Sequence, residues 1–294
     1  MKIQDIVKAI EEVAPPMYQE GYDNAGLITG DPQQEARGAV LCLDAIEAVV
    51  DEAIELGCNL VIAHHPIVFK GLKRLNGRNY VERTIIKAIR HDIAIYAAHT
   101  NLDNVFHHGV NEKIAAKLGL EDTRFLDPRP YWEKLLLDIA GPNRSRVQAA
   151  LSAFPNLLSL PQGHPVVGSG MIGKLPRPMD EMAFLRMVKE TMQTGAVRHT
   201  RLLGRPVQTV ALCGGSGSFL LSQAIAQKAD VFITGDFKYH EFFDADGRIV
   251  IADIGHYESE QYTVEIFSEI LSEKFPNFAL HCTKAKTNPV EYLV

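Results

Sequence analysis

Four short stretches hold most of the side chains able to do metal or acid–base chemistry: "AHHP" at 63–66, "AHTNLD" at 98–103, "TGDFKYH" at 234–240 and "DIGHYESE" at 253–260. Each follows directly on an apolar run of strand type. His64 and His65 end such a run, and Pro66 blocks its orderly continuation, so both imidazoles stand where a sheet gives way to a loop. His256 and Glu260 are four residues apart at the start of a predicted helix, hence on one face, about one turn apart. His99 and Asp103 share that interval in a stretch that reads as a loop. Imidazoles mixed with carboxylates suit zinc, manganese, iron or nickel rather than calcium or magnesium. One carboxylate can also bridge two ions about 3.5–4 Å apart, the geometry of two-metal hydrolytic sites. A lone strand-end histidine is ordinarily structural; the coincidence of an HH pair, an aspartate and an H-x-x-x-E is the signal. His240 stays open, and His91, His107, His108, His164, His199 and His281 read as surface or capping residues.

The elements that must position these groups alternate. "GAVLCLD", "NLVIAHHP" and "IAIYAAHT" read as strands, separated by helical patterns around "AIEAVVDEAIELG" and "YVERTIIKAIRHD". "VQTVALCGGSG", "DVFITGD" and "GRIVIADIGH" form a second series, closed by a long helix from about Glu258 to Phe275. Repeated βα alternation predicts an α/β chain of two similar halves with mostly parallel sheets. The predicted divisions are a first half over 1–126, a short insertion over 127–165 broken by "DPRP", "GPN", "FPN" and "LPQGHP", and a second half over 166–294. Within the insertion, "KLLLDIA" reads as a strand and "RSRVQAALSAF" as a helix. Ligands of open α/β sheets bind at the carboxyl ends of strands, so a site shared between the halves is expected.

Composition excludes several classes. The chain has 294 residues, 46% of them hydrophobic, and a net charge of −6 with Lys and Arg scattered rather than gathered in runs. That argues for a globular protein and against gripping a nucleic acid backbone. No apolar run approaches the roughly 18 residues of a membrane span, and the amphipathic first helix, "MKIQDIVKAIEEV", is interrupted by charges where a signal peptide would be apolar. Four cysteines without a CxxC pair suit reduced thiols, and a cytoplasmic location is expected. "CGGSGSF" at 213–219, with Asp236 about 20 residues on, invites a dinucleotide reading, but Leu220 stands where the third glycine belongs. A tight turn is the better reading. The absence of a G-x-S-x-G elbow and a Walker lysine leaves metal chemistry.

Taken in order, "YDNAGLITG", "AHHPIVFKGLKRL", "HTNLDN", "CGGSG", "DVFITGDFKYH" and "DIGHYESE" resemble the dinuclear-metal Nif-three-like proteins, also called GTP cyclohydrolase I type 2 homologues. The resemblance spans the chain outside about 127–165. It implies two divalent transition-metal ions per chain, held by His64, His65, Asp103, His256 and Glu260, the set reached above from residue types. It further implies Glu260 as the bridge, His65 and Asp103 on one ion, His64 and His256 on the other, and His99 as a neighbour orienting a ligand or substrate. His99 and Asp103 are the candidates for handling a proton. A toroidal homohexamer and hydrolytic opening of the guanine ring of GTP are implied too. Three functions compete: a metal-dependent hydrolase acting on a nucleotide or phosphorylated small molecule; a non-catalytic metal-binding hexamer serving as scaffold, store or metal chaperone; and a regulatory partner of transcription proteins, suggested only by the family's original name and opposed, for direct DNA contact, by the acidic charge balance.

Overall fold

The structure, a computed structural model, describes residues 1–130, 145 and 166–293. Apart from residue 145, the expected strand "KLLLDIA" and helix "RSRVQAALSAF" lie outside the described residues.

The predicted strands form because each is a short apolar run buried on both faces. Strands β2 (Ala39–Asp44), β3 (Leu60–His65) and β4 (Ala94–Ala97) are buried almost end to end, as are β9 (Val231–Gly235) and β10 (Val250–Asp253). With β1 (Gly26–Thr29) and β11 (Leu280–Cys282), the first three make a five-stranded sheet in the order β1-β4-β3-β2-β11. Every pairing there is parallel except β1 with β4. The second sheet has the order β5-β6-β8-β9-β10-β7, using β5 (Glu121–Pro130), β6 (Val166–Met179), β7 (Arg198–His199) and β8 (Val207–Ser216). Its centre, β8-β9-β10, is parallel, and antiparallel strands flank it on both sides. The α/β fold with two largely parallel sheets is therefore present.

Alternate residues of the strands face two different cores. Leu41, Ile62 and Tyr96 of the first sheet and Leu212, Ile233 and Ala252 of the second belong to one cluster, completed by Ile3, Ile6 and Ile10 of the helix Ile3–Val13 and by Phe267 and Leu271 of the helix Thr263–Lys274. Val40, Val61 and Ile95 pack outward under the helices Glu47–Glu55 and Tyr80–Arg90. Ala211, Phe232 and Ile251 pack outward under the helix Leu221–Ala226. The shared cluster fixes one sheet against the other, and strand β11 carries the chain back to the first sheet beside β2.

Two local expectations change. "HTNLDN" is not loop throughout: Thr100–Asp103 is a single helical turn. Asp23 accepts the Thr100 amide at 3.1 Å, and Asn101 Oδ1 accepts the His99 amide at 2.9 Å, so side chains satisfy donors that open a helix. The closing helix is also two pieces, His256–Glu260 and Thr263–Lys274. The ladder breaks after Gln261, whose amide is the last to bond back into the first piece, to Tyr257 at 2.8 Å; Gln261 Nε2 donates instead to the Met192 carbonyl at 2.7 Å.

Candidate metal centre

The carboxyl ends of both sheets converge. Strand β3 delivers His64 and His65, the turn after β4 delivers His99 and Asp103, and the short helix after β10 delivers His256 and Glu260. All six candidate residues come together, although 195 residues separate His65 from Glu260, which lie 3.0 Å apart at Nε2 and Oε2.

Two triads share the Glu260 carboxylate. In one, Glu260 Oε2 lies 3.1 Å from His256 Nε2, and the two imidazole Nε2 atoms are 3.3 Å apart. In the other, His64 Nε2 lies 3.6 Å from Asp103 Oδ1 and 3.8 Å from Glu260 Oε1. Four-coordinate zinc with bonds of about 2.0–2.1 Å has ligand–ligand edges near 3.3–3.4 Å. The His256 triad is at or slightly below that spacing and the His64 triad slightly above it. The grouping differs from the one the resemblance implied: His65 stands with His256 and His64 with Asp103, while His64 and His65, their rings 4.9 Å apart, also meet His99 in a third triad.

Each ligand histidine is held through its other ring nitrogen. His65 Nδ1 is 2.7 Å from Asp44 Oδ1, His256 Nδ1 is 2.7 Å from Asp236 Oδ2, and His64 Nδ1 is 2.8 Å from the Ala98 carbonyl oxygen. With Nδ1–H donating outward, the Nε2 lone pairs point into the triads, the arrangement of metal-ligating histidines. His64 Nε2 and Asp103 Oδ1 are buried and, among the described residues, have no hydrogen-bond partner. Buried polar atoms are rarely left so, and a divalent cation between them satisfies both. The donor set and its orphaned atoms thus fit transition-metal ions.

Without an ion the same atoms compete for protons. Burial pushes the His64 pKa down. It opposes charge at His65 and His256 as well, but there the carboxylates outweigh it: Asp44 and Glu260 raise His65 to about 9, and Asp236 and Glu260 raise His256 to about 11. Burial, reinforced by the Glu260 charge, raises Asp103 well above the usual range. Glu260, equally buried, is held well below it by His256, His64 and His65.

His99 stands beside the triads, its ring 5.3 Å from His64 and 5.4 Å from His65. Its Nδ1 is 2.8 Å from Asp23 Oδ1, and that carboxylate is fully buried. Asp23, Asp44 and Asp236 are the residues that sequence reasoning did not assign to the site; all three follow or precede strands, and a search for strand-end acids would have flagged them. His240 is exposed, ringed against Tyr239, and lines neither cavity at the centre.

The "CGGSG" stretch is no tight turn, since Cys213–Ser216 is the end of β8, and the amides of its three glycines already have partners within the chain. The Gly214 amide donates to Asn111, that of Gly215 to Ser259 and that of Gly217 to Thr234. Its glycines serve close approach instead: Gly215 has φ +61°, and a Cβ there would lie 2.3 Å from Glu260 Oε1.

Two cavities reach the centre. One of about 420 Å³ touches Asp103, Glu260, His99 and His256 and is walled by Tyr22, Phe219 and Arg129. The other, about 620 Å³, touches His65, His99 and His256 and is walled by Phe69, Tyr257 and Tyr292.

Comparison with known proteins identifies the family and the fold. A protein of Clostridium perfringens named "GTP cyclohydrolase 1 type 2 homolog" is 28% identical over 295 residues, the full length of both chains. One of the same name from Staphylococcus epidermidis is 28% identical, but its alignment occupies 368 positions, so it carries segments this chain lacks. Among solved structures, a Bacillus cereus protein related to NIF3 superposes with a TM-score of 0.82 at 27% identity, covering 100% of this chain and 99% of that one. The profile of the family described as Duf34/NIF3 (NGG1p interacting factor 3) matches residues 1–289, and the chain belongs to that family.

Proposed function

We propose that the chain is a dinuclear metal-dependent hydrolase acting on a nucleotide or another phosphorylated small molecule, with one divalent transition-metal ion at each triad. The observation that carries this reading is the pairing of orphaned ligand atoms at His64 and Asp103 with an open cavity of about 420 Å³ that reaches the centre at Asp103, Glu260 and His256. A purely structural metal is normally closed off by protein ligands. Two such ions, when bound, supply Lewis-acid polarisation of the scissile bond and bring water ionisation toward neutral pH.

The chain's own residues supply the rest. Asp44 and Asp236 hold His65 and His256 in the tautomer that presents Nε2. Asp23 does the same for His99, so His99 Nε2 can accept a proton and Asp23 stabilises the imidazolium that results, the division of labour of an Asp–His dyad. Asp103, whose carboxyl is raised by burial and by Glu260, is the second candidate for holding a proton. The aromatic walls of both cavities exclude water from the substrate's flat parts.

The test is a screen of metal-replete protein against nucleotides and phosphoesters, following purine absorbance for ring opening and phosphate release in parallel. Turnover should vanish reversibly with chelation and fall far more in Glu260→Gln than in His240→Gln. No metal-dependent turnover from protein shown to hold both ions would leave the metal-binding scaffold as the reading.

A further inference from the structure

We infer that the loop 69–78 is an anion-binding arm, and that it receives the polyphosphate portion of the molecule that reaches the metal centre. The assignment rests on the hydrolase reading for what happens at the centre, but its own observations lie elsewhere.

The loop reads "FKGLKRLNGR", and between Glu55 and Glu82 the chain has no acidic residue at all. In a protein of net charge −6 this is a local reversal of sign. Lys70, Lys73 and Arg74 are exposed, and among the described residues none of them makes an ion pair. The fourth cation, Arg78, stands where Glu82 accepts the backbone amides of Asn76 and Arg78, both at 3.0 Å. Glu82 thus closes the base of the loop and leaves the three others free.

The loop is tied to the site. At its start, the Val68 carbonyl accepts Asn24 Nδ2 at 2.6 Å, next to the Asp23 that holds His99. The Phe69 ring lies 6.2 Å from His99 and 6.3 Å from Tyr22, and it walls the larger cavity. Phe69 is the loop residue that lines that cavity, and the unpaired cations follow it directly in the chain.

Charge and extent select the occupant. Three free cations on a ten-residue loop match a di- or triphosphate, which carries about three to four negative charges near neutral pH. A nucleic acid needs a basic track over many phosphates, and an acidic chain whose other cations are scattered offers none. Leu72 and Leu75 of the loop are exposed, so an anionic membrane surface is the competing occupant; the Phe69 ring beside Tyr22 and His99 ties the loop to the site and favours the phosphorylated ligand.

The experiment compares metal-replete wild type with a Lys70→Gln, Lys73→Gln, Arg74→Gln variant by calorimetric titration with inorganic tripolyphosphate and with orthophosphate. None of the three side chains is packed, so circular dichroism and metal content should match wild type. Tripolyphosphate should bind the variant about tenfold or more weakly, the sum of three exposed charge pairs, and orthophosphate should bind both proteins alike. Equal tripolyphosphate affinity in the two proteins overturns the assignment. So does loop-dependent binding of anionic vesicles or a single-stranded oligonucleotide that is tighter than that of tripolyphosphate. Loop-dependent binding without any metal-dependent turnover upholds the arm and sinks the hydrolase reading; turnover with loop-independent binding does the reverse.

Discussion

Replacing either orienting aspartate should weaken one metal ion and spare the other. Asp44 and Asp236 each hold the Nδ1 of one histidine at 2.7 Å, and both histidines belong to the same triad. Losing such a partner costs 10–100-fold in metal affinity, or about 1.4–2.7 kcal/mol. The His64 triad has no side chain in this role, because the Ala98 carbonyl holds His64. Asp44→Asn and Asp236→Asn should therefore each convert two near-equal sites into one tight and one weak. A second effect opposes the first: without its aspartate, His65 or His256 falls from its raised pKa of about 9 or about 11, so protons compete less for Nε2. The full loss shows only where proton competition is small, above about pH 9 for Asp44→Asn and above about pH 11 for Asp236→Asn, and it shrinks as pH falls. The assay is competition with a chromogenic chelator at several pH values, with metal counted per chain. Equal weakening of both ions would refute the assignment of these two histidines to a common triad, and no weakening by Asp44→Asn above pH 9 would refute the orienting role.

Metal loading should also release protons. Near pH 7.5 the metal-free protein carries protons on His65 and His256, whose pKa values are raised, so binding displaces up to two per chain from the histidines, with any proton held by Asp103 in addition, and affinity rises with pH; calorimetry in buffers of different ionisation enthalpy counts them, and pH-independent binding between 7 and 8.5 would contradict the geometry. Gly215→Ala should cost about 1–3 kcal/mol and abolish binding at Glu260, because the new methyl group meets that carboxylate at 2.3 Å, while Gly119→Ala, at φ +66° with open space around it, should lose stability but keep its metal; thermal melts with and without zinc separate the two. Light scattering should find six copies of the 32.6 kDa chain in one particle, and a monomer at micromolar concentration would remove the ring inferred from the resemblance.

What could be read from the sequence was decided by burial and by residue type. Strands β2, β3, β4, β9 and β10 were legible because they are apolar on both faces, and the ligands were legible because His, Asp and Glu stood at their ends. Strand β6 was not, since "VVGSGMIGKLPRPM" looks like a broken loop. It is a strand because its neighbour needs the room: a Cβ at Gly168 would lie 2.6 Å from the Phe125 ring on β5. The aspartates that orient the histidines were equally hidden, being 21, 20 and 76 residues from His65, His256 and His99, pairings that only the folded sheets create. The pairing of ligands into triads needed side-chain direction as well as identity. The cations of loop 69–78 passed as scattered because their significance depends on Phe69 meeting His99.

The central claim is that Glu260 is shared by two ions, one with His65 and His256 and one with His64 and Asp103. Anomalous diffraction from crystals of the metal-loaded protein tests it most directly. Two peaks about 3.5–4 Å apart, each within bonding distance of a different Glu260 oxygen, are the predicted result. A single peak, or metal bound away from Glu260, would contradict it.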